Sequence, residues 1–115
     1  MELTKAENRI ARNIFAVALQ RELAKEMEVF NQILQKWKSE PQTDHRDSYY
    51  ELFTAVKDFD KHIARRYDGL KNSWFYGTLI GLLADEIINE KDLTEYSEET
   101  RSQLINGAKR RNEND

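Results

Sequence analysis

Residues 49–70 read YYELFTAVKDFDKHIARRYDGL. The apolar positions are Tyr49, Leu52, Val56, Phe59, Ile63, Tyr67 and Leu70. Spacings of three and four residues lay these side chains along one stripe of an α-helix. The other side carries Asp58, Asp60, Lys61, His62, Arg65, Arg66 and Asp68. An amphipathic helix with one apolar stripe has to pack against something similar. The stretch therefore predicts an all-α fold.

Working outward, Ser48 and Glu51 have capping-box spacing before this stripe, and Gly69 is a left-handed stop after it. On the N-terminal side lies SEPQTDHRD, residues 39–47, which holds the chain's single proline. It reads as a polar linker over 39–48. Before it, neither Gly nor Pro occurs. Thr4 and Glu7 form a T-x-x-E capping box, and Ala16, Leu19, Leu23, Met27, Phe30, Leu34 and Trp37 make a second stripe. One helix from Lys5 to about Lys38 follows, about 50 Å long at the usual helical rise. After Gly69, Asn72 or Ser73 can cap a third helix from Trp74 to Asn89. It is apolar nearly all round, as a central or covered helix should be. Ser97 caps a short last helix, Glu98 to Asn106, and the tail over 108–115 reads as frayed.

The expected architecture is an antiparallel helical bundle of three main helices, the first one long, plus a short C-terminal helix. The chain reads as one domain over 1–115. Leu23, Met27, Phe30, Leu34, Leu52, Val56, Phe59, Ile63, Leu79, Leu83 and Ile87 are the expected core.

Composition narrows the function. Of 115 residues 34% are charged, the net charge is −3, and there is no cysteine. Disulfides, thiol nucleophiles and cysteine-zinc sites are thereby excluded. No stretch has the length and apolarity of a membrane span. The N-terminus lacks a secretory pattern. A cytoplasmic protein without membrane attachment is expected. Residues 1–38 carry a net +2 and residues 72–108 a net −5, which is not a global nucleic-acid footprint.

Two clusters carry possible chemistry. Asp58, His62 and Arg66 follow one another at four-residue steps, with Arg65 alongside, so a carboxylate, an imidazole and a guanidinium share a helix face. This could orient a base or hold a phosphate or carboxylate. The same spacing describes a solvated charge ladder, and neither a nucleophile nor a glycine loop accompanies it. Lys5, Arg9 and Arg12 form a basic patch near the positive end of the first helix. Without exposed aromatic pairs beside it, the pattern does not predict nucleic-acid binding. The two histidines lack the Glu-x-x-His pairs of a helical di-metal centre, so neither metal nor cofactor is expected. Gly77-x-x-x-Gly81 marks a possible close helix approach.

No catalytic signature is present. The expectation is a non-enzymatic interaction protein: an adaptor, inhibitor or regulator of unknown partner, itself a homodimer. The alternative is a nucleic-acid or phosphate-ligand binder using the basic helix faces. An enzyme built around Asp58, His62 and Arg66 comes third. The homodimer follows from length: the first helix has no intrachain partner of equal length, unless it breaks near Arg21.

Overall fold

The computed structural model describes residues 2–41 and 43–114. Among these residues there are four α-helices: α1 (Lys5–Ser39), α2 (Arg46–Tyr67), α3 (Phe75–Ala84) and α4 (Glu98–Asn114). Short 3-10 helices, Asn72–Trp74 and Glu90–Leu93, precede α3 and α4. Among the described residues there is no strand, so the fold is all-α as the stripes predict.

The start of α1 is the expected capping box. Thr4 N–H donates to Glu7 Oε1 at 2.9 Å, and Glu7 N–H donates to Thr4 Oγ1 at 3.1 Å. These bonds satisfy N–H groups that no helical carbonyl reaches. The helix then continues unbroken through Arg21.

Other boundaries differ from the sequence reading. The second helix starts at Arg46, inside the expected 39–48 linker, because Asp44 Oδ1 accepts from Arg46 N–H at 3.0 Å. Ser48 is consequently inside the helix rather than at its cap. Gly69, at φ 66°, lies just beyond the end of α2 as expected. The third helix is shorter than the Trp74–Asn89 expectation, and the last one longer. The C-terminal segment is helical to Asn114, not frayed from 108; Asp115 lies outside the described residues.

The early end of α3 has a specific cause. Glu86 adopts φ 61°, its N–H donates to Leu83 O at 3.1 Å, and Ile87 N–H donates to Leu82 O at 2.9 Å. This is the Schellman pattern, which normally takes glycine at the left-handed position. Glutamate there carries a steric cost of about 1–2 kcal/mol. Glu86→Gly should therefore raise stability by roughly 1 kcal/mol, after the greater freedom of glycine in the unfolded chain is subtracted. A urea midpoint that falls instead would contradict this account.

The chain divides into two compact units, one comprising residues up to Leu19 and from Gly69 onward, the other Gln20–Asp68. The first unit has a dense core. Ala11, Ile14, Phe15 and Ala18 of α1, Phe75, Leu79 and Leu82 of α3, and Leu104 and Ala108 of α4 are buried, as are Ile88, Leu93 and Tyr96 between the helices. Phe15 meets Phe75 edge-on, with ring centres 5.0 Å apart. Glu7 does more than cap: its Oε2 accepts from Thr100 Oγ1 at 2.6 Å, and its carbonyl accepts from Tyr96 Oη at 3.0 Å. The start of α1 is thus fastened to α4.

The expected glycine contact is only half realised. Gly81 is buried, and a side chain there would meet the tip of Arg111; Gly77 is exposed and faces open space. The tight approach is at Gly107, where an added Cβ would lie 2.6 Å from Ile80 Cδ1.

The second unit is a helical hairpin. Glu22 meets His62, Phe30 meets Phe59, and Trp37 meets His45. Residue numbers rise along α1 as they fall along α2. Its packing departs from the expected core: α2 contains no fully buried residue. Phe30, Leu52, Phe59 and Ile63 are half-buried, while Leu23, Met27, Leu34 and Val56 are exposed. Of the expected core, Leu79 is fully buried, and Leu83 and Ile87 are half-buried in the first unit.

Candidate functional site: a buried carboxylate and an uncovered apolar face

The hairpin carries both features of interest. On α1, Glu22 follows Leu19 by one turn and precedes Val29 and Ile33, so it sits on the seam that faces α2. Its side chain is 6% exposed. A carboxylate shielded this far from water is stable only if other groups replace its hydration. Three do so, all from the last turns of α2. His62 Nε2 lies 2.8 Å from Oε1, Arg66 Nη1 donates to Oε1 at 2.9 Å, and Tyr67 Oη donates to Oε2 at 2.5 Å.

The electrostatics follow the geometry. Burial alone would push the Glu22 carboxyl up. The hydrogen bonds from Tyr67 and His62, together with the charges of Arg66 and His62, outweigh burial and hold it below the usual value. Burial, the hydrogen bond to Glu22 and the Glu22 charge together raise the Tyr67 hydroxyl. The cluster is a charge-assisted clasp between two helices.

The expected site residues separate into two groups. His62 and Arg66 enter the clasp, but with Glu22 and Tyr67 as partners. Asp58 and Arg65, expected alongside them, are exposed and lie outside it. Glu22 and His62 offer two donors to a metal, and no group of three suitable ligands occurs among the described residues. In the basic patch, Lys5 and Arg9 are exposed. Arg12 is engaged by its own chain: Nη2 donates to Asn72 Oδ1 at 2.9 Å, and the guanidinium lies 5.4 Å from the Phe75 ring centre.

The second feature is an apolar face. Leu23, Met27, Phe30 and Leu34 follow each other on α1 at steps of four, three and four. Tyr49, Val56 and Ile63 recur every seven residues on α2, with Phe53 flanking them. Met27 is 64% exposed, Tyr49 61% and Phe53 50%. The two stripes lie on one side of the hairpin: a groove of about 210 Å³ is lined by Ile33, Leu34 and Trp37 together with Tyr49 and Leu52. Tyr49 and Phe53 stack with ring planes 12° apart. The opposite side is polar, carrying the exposed Lys25, Asp58 and Arg65 and the solvent-facing Lys36–Glu51 pair at 3.9 Å. Of these, Leu23, Met27, Leu34 and Val56 belong to the expected core and are exposed instead. The missed signal is that α1 has two apolar seams, one through Val29 and Ile33 and one through Met27 and Leu34, while the hairpin offers a single partner helix.

No helix is long and apolar enough to cross a membrane among the described residues. No family model, curated protein or solved structure matches the chain.

Proposed function

We propose that the chain is a non-enzymatic, cytoplasmic helical protein that works by protein–protein interaction, as an adaptor, inhibitor or regulator. One observation carries the reading: the uncovered face running through Met27, Leu34, Tyr49, Phe53 and Val56. Apolar patches of several hundred Å² with polar rims are characteristic of association surfaces. Aromatic side chains are the usual anchors of such surfaces.

The buried polar cluster supports the same choice. The hydrogen-bonding groups of Glu22 are taken up by its neighbours on α2, which suits a fastening between helices better than a reacting centre. The phosphate or nucleic-acid alternative would draw on Lys5, Arg9, Arg12, Arg65 and Arg66. It is the weaker reading because Arg12 and Arg66 already serve internal contacts.

Hydroxyl-radical labelling tests the proposal. Met27, Tyr49 and Phe53 should be protected in intact native cells and reactive in the dilute purified chain. Equal, full labelling in both settings would sink the interaction reading.

A further inference from the structure

We infer that the covering partner is a second copy of this chain, in a two-fold, four-helix assembly where α1 of each copy lies on α2 of the other. The inference rests on the interaction reading above and specifies its partner. Three observations lead to it.

The first is the double seam. A helix that meets one neighbour needs one apolar seam; a helix inside a four-helix bundle needs a wider face that meets two. Both hairpin helices have the wider face, yet the hairpin supplies each with one neighbour. A second hairpin supplies the missing pair, and closed two-fold symmetry is the commonest way for one chain to do so.

The second is area. The exposed parts of Leu23, Met27, Leu34, Tyr49, Phe53 and Val56 amount to on the order of 600 Å², the upper end for a monomer's largest apolar patch. Two such faces together remove about 1,200 Å² from water, the lower end of stable protein interfaces. The face is thus sized for a match to itself.

The third is charge. At helical spacing, the outer flank of the face on α2 carries Lys57 and Lys61, with the single carboxylate of Asp60 beside them. The corresponding flank of α1 carries Gln20, Ala24 and Asn31 together with Arg21 and Glu28, whose charges are opposite. Stacking α2 on α2 would bring four lysines together. Stacking α1 on α2 sets each lysine flank against one of no net charge that includes the Glu28 carboxylate, which selects the pairing. A two-fold axis along the helices keeps heights matched, so Leu34 of one copy lies at the level of Phe53 of the other.

The full chain should sediment at tens of micromolar with about twice its 13.6 kDa mass. Phe53→Glu should return it to a single-copy mass with its helical circular dichroism retained. The chain has no cysteine, so introduced ones report without background. Mixing a Leu34→Cys variant with a Phe53→Cys variant should give the mixed disulfide as the main oxidised product. A single-copy mass for the unmodified chain overturns the inference. So does a Leu34→Cys variant that cross-links chiefly to itself. A single-copy mass with the face still protected in cells would leave the interaction reading standing and assign the face to a different protein.

Discussion

Glu22→Ala is expected to destabilise the hairpin by about 3 kcal/mol, among the larger effects for a single substitution outside an apolar core. The methyl group removes the acceptor of the Tyr67 hydroxyl and one acceptor of Arg66, which is 13% exposed. It also removes the principal polar link between α1 and α2 in a hairpin without a fully buried residue on α2. The loss should appear as faster amide exchange along α2, by about a hundredfold if it reports the full energy. Glu22→Gln keeps an acceptor and loses the charge, so it should fall between. The pH dependence has a definite sign. The folded carboxyl lies below its unfolded value near 4.5, so its contribution is present above that value and lost as pH falls through the folded one. Stability of the hairpin should decline in acid below about 4.5 and do so less steeply in Glu22→Gln. An acid limb that is unchanged in that variant would assign the decline to other carboxylates.

Leu104→Ala should cost about 3–4 kcal/mol, and its effect belongs to the other unit. Leu104 is fully enclosed on α4, in a core shared with Leu79, Leu82 and Leu93. Truncation removes the transfer energy of the lost methyl groups and leaves a cavity lined by side chains that cannot all collapse into it. By contrast Met27→Ala, at the most exposed apolar position of the hairpin face, should change the stability of the single copy by under about 0.5 kcal/mol. Urea titrations of the two variants should separate widely. A Met27→Ala loss as large as that of Leu104→Ala at dilute concentration would mean that the face is internal after all.

Much of the fold is legible in residue spacing, for reasons that also mark where legibility stops. The stripe from Leu52 to Ile63 specifies a helix because periodicity depends only on neighbours along the chain. The Thr4–Glu7 capping box and the Gly69 stop are equally local. Glu86 is not legible, since nothing in its chemistry announces a left-handed residue; the bonds of Leu82 and Leu83 hold it there. The site was half visible. His62 and Arg66 stand out through their four-residue spacing, but the group they bind lies 40 and 44 residues earlier. Glu22 looks like one more charge on a charged helix. Its only local sign is its place on a seam otherwise occupied by Val29 and Ile33. The burial of the stripes went wrong for a related reason: periodicity says which side of a helix is apolar, and it is silent on whether the same chain covers it.

The division of α1 between two units also governs the order in which the molecule can assemble. Everything the hairpin needs is contiguous, from Gln20 to Asp68. The other unit joins Ala11, Ile14, Phe15 and Ala18 to partners as distant as Ala108, and its Glu7–Thr100 bond spans 93 residues. During vectorial synthesis, at roughly 5–20 residues per second, the N-terminal apolar residues wait on the order of ten seconds for α4 to leave the ribosome. Nascent chains paused before residue 100 should therefore hold a folded or folding hairpin attached to a sticky N-terminal part of α1, up to Leu19, that still waits for its partners, a natural client for a chaperone. Slow closure of this long contact, rather than hairpin formation, is then the step that limits folding.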